Sequence, residues 1–203
     1  MNDNPWLLLV MIAAGLVFAW LWLRDFRDRN RGRHAHPLPG ATSSPAGVIL
    51  VGAVVGIGLV AAETACESWL GITGAQSMMT PLFAIWTLVA AVIEEIIFRG
   101  YLVIGKRGPA VLCLGIVLFS AVFAAIHPFL WSWDEAGFQW TPGLKGWFST
   151  AFAFAGSIAF YSLRFNRWNP ALSLLPCFAA HLAKNAGVIA VKASQGFLSG
   201  LWF

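Results

Sequence analysis

Residues 91–102 read AVIEEIIFRGYL, with Glu94, Glu95 and Arg99 set inside a run that is otherwise apolar. An ionisable side chain in hydrocarbon costs a few kcal/mol on insertion scales, so one that is retained faces a bundle interior or a cavity and calls for a chemical reason. The same chain carries His127 in FAAIH, and His181, Lys184 and Asn185 in HLAKN, again among apolar residues. Spacing sorts this set. Glu95 and Arg99 stand one helical turn apart on one face and can neutralise each other. Glu94 is turned about 100° from Glu95 by the helical repeat and lacks that partner, which leaves its carboxylate for chemistry. A carboxylate, two imidazoles and an amide arriving on three helices suit the attack of water on a carbonyl: the carboxylate takes the proton, an imidazole orients the water, and His and Asn donors face the developing oxyanion. The set also offers Glu94, His127 and His181 as three zinc ligands with an open position, though no HExxH accompanies them.

Those residues need a membrane bundle to position them. The chain has 203 residues, of which 59% are hydrophobic and 11% charged, a balance that belongs to polytopic membrane proteins. Six apolar segments long enough to cross a bilayer follow one another, at about Trp6–Leu23, Ala46–Ala62, Pro81–Ile104, Pro109–Ile126, Gly146–Leu163 and Pro170–Val191. They lack the alternation of a lipid-facing barrel, so the expected class is an all-α, polytopic integral membrane helical bundle. Ten of the thirteen Lys and Arg fall in the segments 24–45, 99–108 and 164–169, and only Lys145, Lys184 and Lys192 lie elsewhere. The positive-inside rule then places the N-terminus outside. The net charge of +4 is accounted for by topology, and no nucleic-acid partner is expected.

MNDNP before the first span carries no positive charge, whereas RDFRDRNRGR after it carries five arginines, the reverse of a signal peptide. Residues 1–45 are therefore expected to be a retained anchor with an Arg-rich loop, and 46–203 the core, the anchor being separable from the chemistry. His34 and His36 in that loop are expected to be solvated. Gly52 and Gly56 in the second span suit close helix packing. The segment 128–147, PFLWSWDEAGFQWTPGLKGW, holds four tryptophans and reads as a belt at the headgroup level. Cys66, Cys113 and Cys177 follow no metal spacing and read as packing residues, as do Phe98, Tyr101 and Phe123.

Taken together, Glu94-Glu95-Ile-Ile-Phe-Arg99 resembles the EExxxR motif, Phe123-Ala-Ala-Ile-His127 the FxxxH motif and His181-Leu-Ala-Lys-Asn185 the HxxxN motif of the CPBP family of intramembrane proteases, in that family's order. The family includes type II CAAX prenyl endopeptidases and bacteriocin-processing or immunity proteins, and the resemblance covers about residues 81–190. It implies that Glu94 and His127 activate water, that His181 and Asn185 support the oxyanion, that Glu95 and Arg99 hold the site, and that no acyl-enzyme forms. The expected partners are the bilayer and a membrane-associated protein or peptide substrate, in a bacterial cytoplasmic membrane. No cofactor is expected in the favoured version and zinc in the other. A non-catalytic binding or immunity protein and a proton-relay transporter are the competing classes; no inverted repeat or paired broken helix supports transport. One conflict stands inside this reading. Counted along straight helices, Glu94 and His181 fall roughly 15 Å from the inner ends of their spans, while His127 falls roughly 10 Å further out. A tilted or broken fourth helix is the expected remedy.

Overall fold

The computed structural model describes residues 4–33 and 37–200; His34 and His36 lie outside the described residues. Among the described residues six α-helices follow in order: α1 Pro5–Asn30, α2 Ala46–Trp69, α3 Pro81–Glu94, α4 Pro109–Ile126, α5 Leu144–Arg164 and α6 Leu175–Ser194. Their starts are written in the sequence. Asn4 accepts from the backbone N–H groups of Trp6 and Leu7 ahead of Pro5, and Thr80 accepts from that of Phe83 ahead of Pro81; a side-chain cap followed by proline satisfies the orphan donors of a first turn. The chain is an all-α membrane bundle. α1, α2, Pro81–Tyr101 and α4 are long and apolar enough to cross a membrane. The expected fifth and sixth spans are helices too, but α5 and α6 are less apolar, because they carry the polar groups that the bundle encloses.

Small residues bring α6 into place. A Cβ built on Gly52 would lie 2.3 Å from the carbonyl oxygen of Pro176, and one on Gly56 would lie 2.1 Å from that of Ala180. The backbones of α2 and α6 thus touch directly, as the glycine spacing leads one to expect. Gly15 in the same way admits Val89 and Ile93 of α3 against α1. Trp22 of α1 is buried, meets Phe178 edge-on at 4.8 Å and donates to the Pro39 carbonyl at 3.2 Å. It joins Ile96, Phe160, Leu163, Leu174 and Cys177 in the central apolar cluster.

The connections gather at the two ends of α2. At one end Ser173 Oγ donates to the Thr42 carbonyl, Thr42 Oγ1 to the Ala171 carbonyl, and Leu174 N–H to the Gly40 carbonyl. Gly40, at φ 65°, takes a left-handed conformation directly against Leu174. At the other end buried Glu67 receives Lys145 from the start of α5 and Gln76 from the α2–α3 connection, and Lys192 of α6 donates to the Ser77 carbonyl. Cys177 is buried as expected, Cys66 is intermediate, and Cys113 is exposed on α4.

The third helix does not run to Ile104 as an α-helix. From Glu95 to Tyr101 it continues as a π-helix, Leu102 N–H bonding the Ile97 carbonyl, and residues 102–108 then leave helical conformation. The segment bends at Leu102, where Val103 N–H bonds the Tyr101 carbonyl, and turns again at Lys106–Arg107 before α4 begins. α4 then brings Phe123 back beside Phe98, with ring centroids 5.1 Å apart. Ile104, on the way, lies against Gly115 of α4. The expected break in the fourth helix is absent, since α4 is continuous from Pro109 to Ile126; the departure from α-helical geometry lies in the third helix instead.

The tryptophan-rich segment is a β-hairpin, β1 Trp131–Asp134 and β2 Gly137–Trp140, joined by Glu135 and Ala136 and paired in register Trp131↔Trp140. The alternation of large and small or polar residues in WSWD and GFQW is the period-two signal of a strand; the composition of a headgroup belt obscured it.

Replacing Gly56 with Val should force α2 and α6 apart and lower the thermal unfolding midpoint in detergent, by the equivalent of about 1–3 kcal/mol of overpacking. Gly58→Ala, whose Cβ meets nothing within 4 Å, should leave the midpoint unchanged or raise it.

Candidate active site

Glu95 is the hub. Its carboxylate is wholly buried, and its Oε1 forms an ion pair with Arg99 Nη1 at 3.1 Å and a hydrogen bond with His181 Nδ1 at 2.8 Å. The expected pairing of Glu95 with Arg99 is present, on π-helical rather than α-helical geometry. Because a π-bulge puts an extra residue into one turn, it re-aims the groups that follow, and such bulges recur at functional sites. Arg99 is also fully buried and, apart from this contact, is met by rings: Phe123 at 4.7 Å, Tyr161 at 5.0 Å, Phe160 at 5.2 Å and Phe98 at 5.9 Å from the guanidinium carbon. Aromatic faces attract a desolvated cation without offering it another anion. The cage therefore leaves the arginine's charge directed at Glu95.

The ring nitrogens can be assigned from their partners. His181 Nδ1 faces a carboxylate and His127 Nδ1 faces the Phe123 carbonyl at 2.6 Å. A carbonyl oxygen only accepts, so His127 Nδ1 carries a proton and its Nε2 has a lone pair in the neutral ring. His181, with Nδ1–H given to Glu95, presents Nε2 toward Glu94 Oε2 at 3.7 Å, a separation wider than a hydrogen bond. The Glu94 side chain is 27% exposed where that of Glu95 is 0%. The two adjacent carboxylates thus occupy different settings: Glu95 faces the interior and Glu94 the open side.

His127 caps α4 in extended conformation, as a residue before proline must. Phe123, one turn earlier, stands between the two imidazoles, 4.7 Å from the ring of His127 and 6.1 Å from that of His181. Asn185 donates from Nδ2 to the Thr87 carbonyl of α3 at 2.9 Å, which fixes α6 against α3 and leaves the second amide hydrogen uncommitted. Lys184 pairs with Glu63 of α2 at 3.2 Å. Glu94, Glu95, Arg99 and His181 therefore form one connected group, with His127 beside it across Phe123 and Asn185 one turn further along α6.

The contribution of α5 was not foreseen from the sequence. Tyr161 donates its hydroxyl to the carbonyls of Phe98 at 2.6 Å and Leu102 at 3.1 Å, holding the end of the π-helix. Phe160 packs on the His181 ring at 5.0 Å, and Ser157 bonds Ser120 of α4 at 2.9 Å. The signal available was the series Ser157, Phe160, Tyr161, Arg164, polar and aromatic at helical spacing on one face.

A carboxylate, imidazole and caged arginine gathered inside a bundle of apolar helices define a membrane protein that holds its ionisable groups within its own helices. Residues 76–187, more than half of the chain, match the family described as type II CAAX prenyl endopeptidase Rce1-like, and the chain belongs to that family. The matched region contains every residue of the three motifs, in agreement with the CPBP resemblance. No curated protein and no solved structure matches the chain. Family membership makes the chain a membrane endopeptidase of the CAAX type, seated in the bilayer and acting on a membrane-associated peptide.

Removing Arg99 alone, as Arg99→Leu, should destabilise the protein by about 3–5 kcal/mol, because Glu95 is left buried without its cation. Adding Glu95→Gln to Arg99→Leu should recover most of that loss in a detergent unfolding assay, while leaving His181 without its carboxylate.

Proposed function

We propose that the chain hydrolyses a peptide bond of its membrane-associated substrate directly with water, Glu94 being the general base. The observation that carries this reading is the connected series Arg99, Glu95, His181 and Glu94, in which only the last carboxylate reaches the open side. Water placed between Glu94 and His127 gives a proton to Glu94 while the Nε2 lone pair of His127 orients it. The water oxygen bonds the scissile carbonyl carbon, and the carbonyl oxygen becomes an oxyanion. His181, when Nε2 carries a second proton, and Asn185, through its second amide hydrogen, face that charge as donors. The carbon–nitrogen bond then breaks, Glu94 returns the proton to the leaving amine, and the new carboxyl group leaves with the other fragment. Glu95 and Arg99 touch no reacting atom; they orient His181.

The zinc-dependent version would take Glu94, His127 and His181 as ligands. Among the described residues no three His, Cys, Asp or Glu side chains stand as a group able to hold a metal ion, so these residues do not fit the metal as placed and no step is routed through it. We further place the N-terminus outside and the Arg-rich connections on the cytoplasmic side of a bacterial membrane. The partition of Lys and Arg supports this orientation.

A quantitative survey of protein termini in membranes of cells carrying matched amounts of wild type or Glu94→Gln tests the reading. Precursors that persist only in the variant are expected, with purified activity on them lowered at least ~100-fold. Identical termini, from a variant that folds normally, would favour a binding or immunity role. Purified activity is expected to survive exhaustive dialysis against a strong zinc chelator; loss that zinc alone restores would establish the metal version.

A further inference from the structure

Beside His127 the protein has a groove of about 420 Å³, walled by Ala121 and His127 of α4 and its cap, Trp131 and Trp140 of the hairpin, and Trp147 and Ala151 of α5. Its walls are fixed. Trp131 Nε1 donates to the Ala125 carbonyl at 2.9 Å, one of the last-turn acceptors of α4. Trp140 meets Trp147 edge-on at 6.1 Å, and a Cβ on Gly146 would lie 2.3 Å from the Phe129 carbonyl oxygen, so α5 begins in backbone contact with the segment after His127. Phe129 in turn stacks on His127 at 5.5 Å. The hairpin has only two strands, and beyond their mutual pairing and the Thr141 N–H to Leu130 carbonyl bond that extends it, they make no backbone hydrogen bond among the described residues.

We propose that this groove and the free hairpin edge together bind the substrate as an extended apolar strand, seating the residues that flank the scissile bond. The proposal deepens the endopeptidase reading and rests on it, since His127 is shared by the groove and the reacting group. The occupant follows from the mixture of surfaces. An acyl chain fills an apolar groove but pairs none of the N–H and C=O groups that a free strand edge presents. An extended peptide pairs them, and it lodges every second side chain between the tryptophans. The volume, at the lower end of the range for small-ligand clefts, suits large aliphatic side chains.

The test uses the full chain carrying Glu94→Gln, in vesicles of phosphatidylethanolamine and phosphatidylglycerol, with a benzophenone amino acid in place of Ala151. The probe is a short biotinylated peptide of leucine, valine and serine. After illumination, peptide adducts should exceed those formed with the label at Leu50, an exposed site on α2. They should fall roughly fivefold or more when alternate peptide nitrogens are N-methylated, because strand pairing is lost. Adducts with lipid alone, equal yields at the two positions, or a yield indifferent to N-methylation would overturn the proposal. Cleavage of the same peptide by the unsubstituted protein is read separately. Adducts without cleavage count against the endopeptidase reading and leave the groove standing; cleavage without adducts does the reverse.

Discussion

The buried Glu95 carboxylate is the constraint on which the rest of the molecule depends. A charge in that position is tolerable only if its partners arrive from elsewhere at close range. Arg99 comes from the same helix and His181 from α6, at 3.1 and 2.8 Å. For α6 to come that near, α2 must lie backbone to backbone against it, which Gly52 and Gly56 permit. For Arg99 to remain directed at Glu95, α4 and α5 must surround it with rings and nothing anionic, which Phe123, Phe160 and Tyr161 provide. One ionic contact thus fixes the positions of five helical segments.

In the proposed reaction the two neighbouring glutamates have different tasks. A carboxylate that reacts has to be accessible and to exchange its proton, whereas one that orients an imidazole has to be immobile. Adjacent positions on a helix point about 100° apart, so a single dipeptide supplies both settings at the same depth. The asymmetry of exposure, 27% against 0%, is the physical form of that division.

Much of this was legible in the sequence, and the reason lies in the cost of polar atoms in lipid. Glu94, Glu95, Arg99, His127, His181 and Asn185 stand out because their surroundings are apolar, and helix starts stand out through Asn4-Pro5 and Thr80-Pro81. The π-helix was not legible, because the one glycine of EIIFRGY is ordinary in a membrane helix and the end of the π-helix is held by Tyr161 from a distant helix. The hairpin was hidden by tryptophans whose composition also suits an interface. The Arg99 cage was hidden for a related reason: Phe98, Phe123, Phe160 and Tyr161 resemble ordinary core residues until the cation they enclose is located. Local periodicity specifies elements, while the departures from it here are imposed by contacts between helices.

The short connection between the third helix and α4 has a consequence of its own. Surface connections usually absorb insertions and deletions with little effect, but residues 102–108 tie the π-helix to α4 while Ile104 lies against Gly115 and Phe123 sits beside Phe98. Dropping one residue draws the start of α4 toward the π-helix, by at most about 3.3 Å, roughly two residues' rise along a helix. Compensating by sliding would carry Phe123 off the level of Arg99, and compensating by rotation would turn its ring toward lipid. The sequence of this connection is thus freer to vary than its length, and its residue count belongs to the geometry of the site as much as any side chain does.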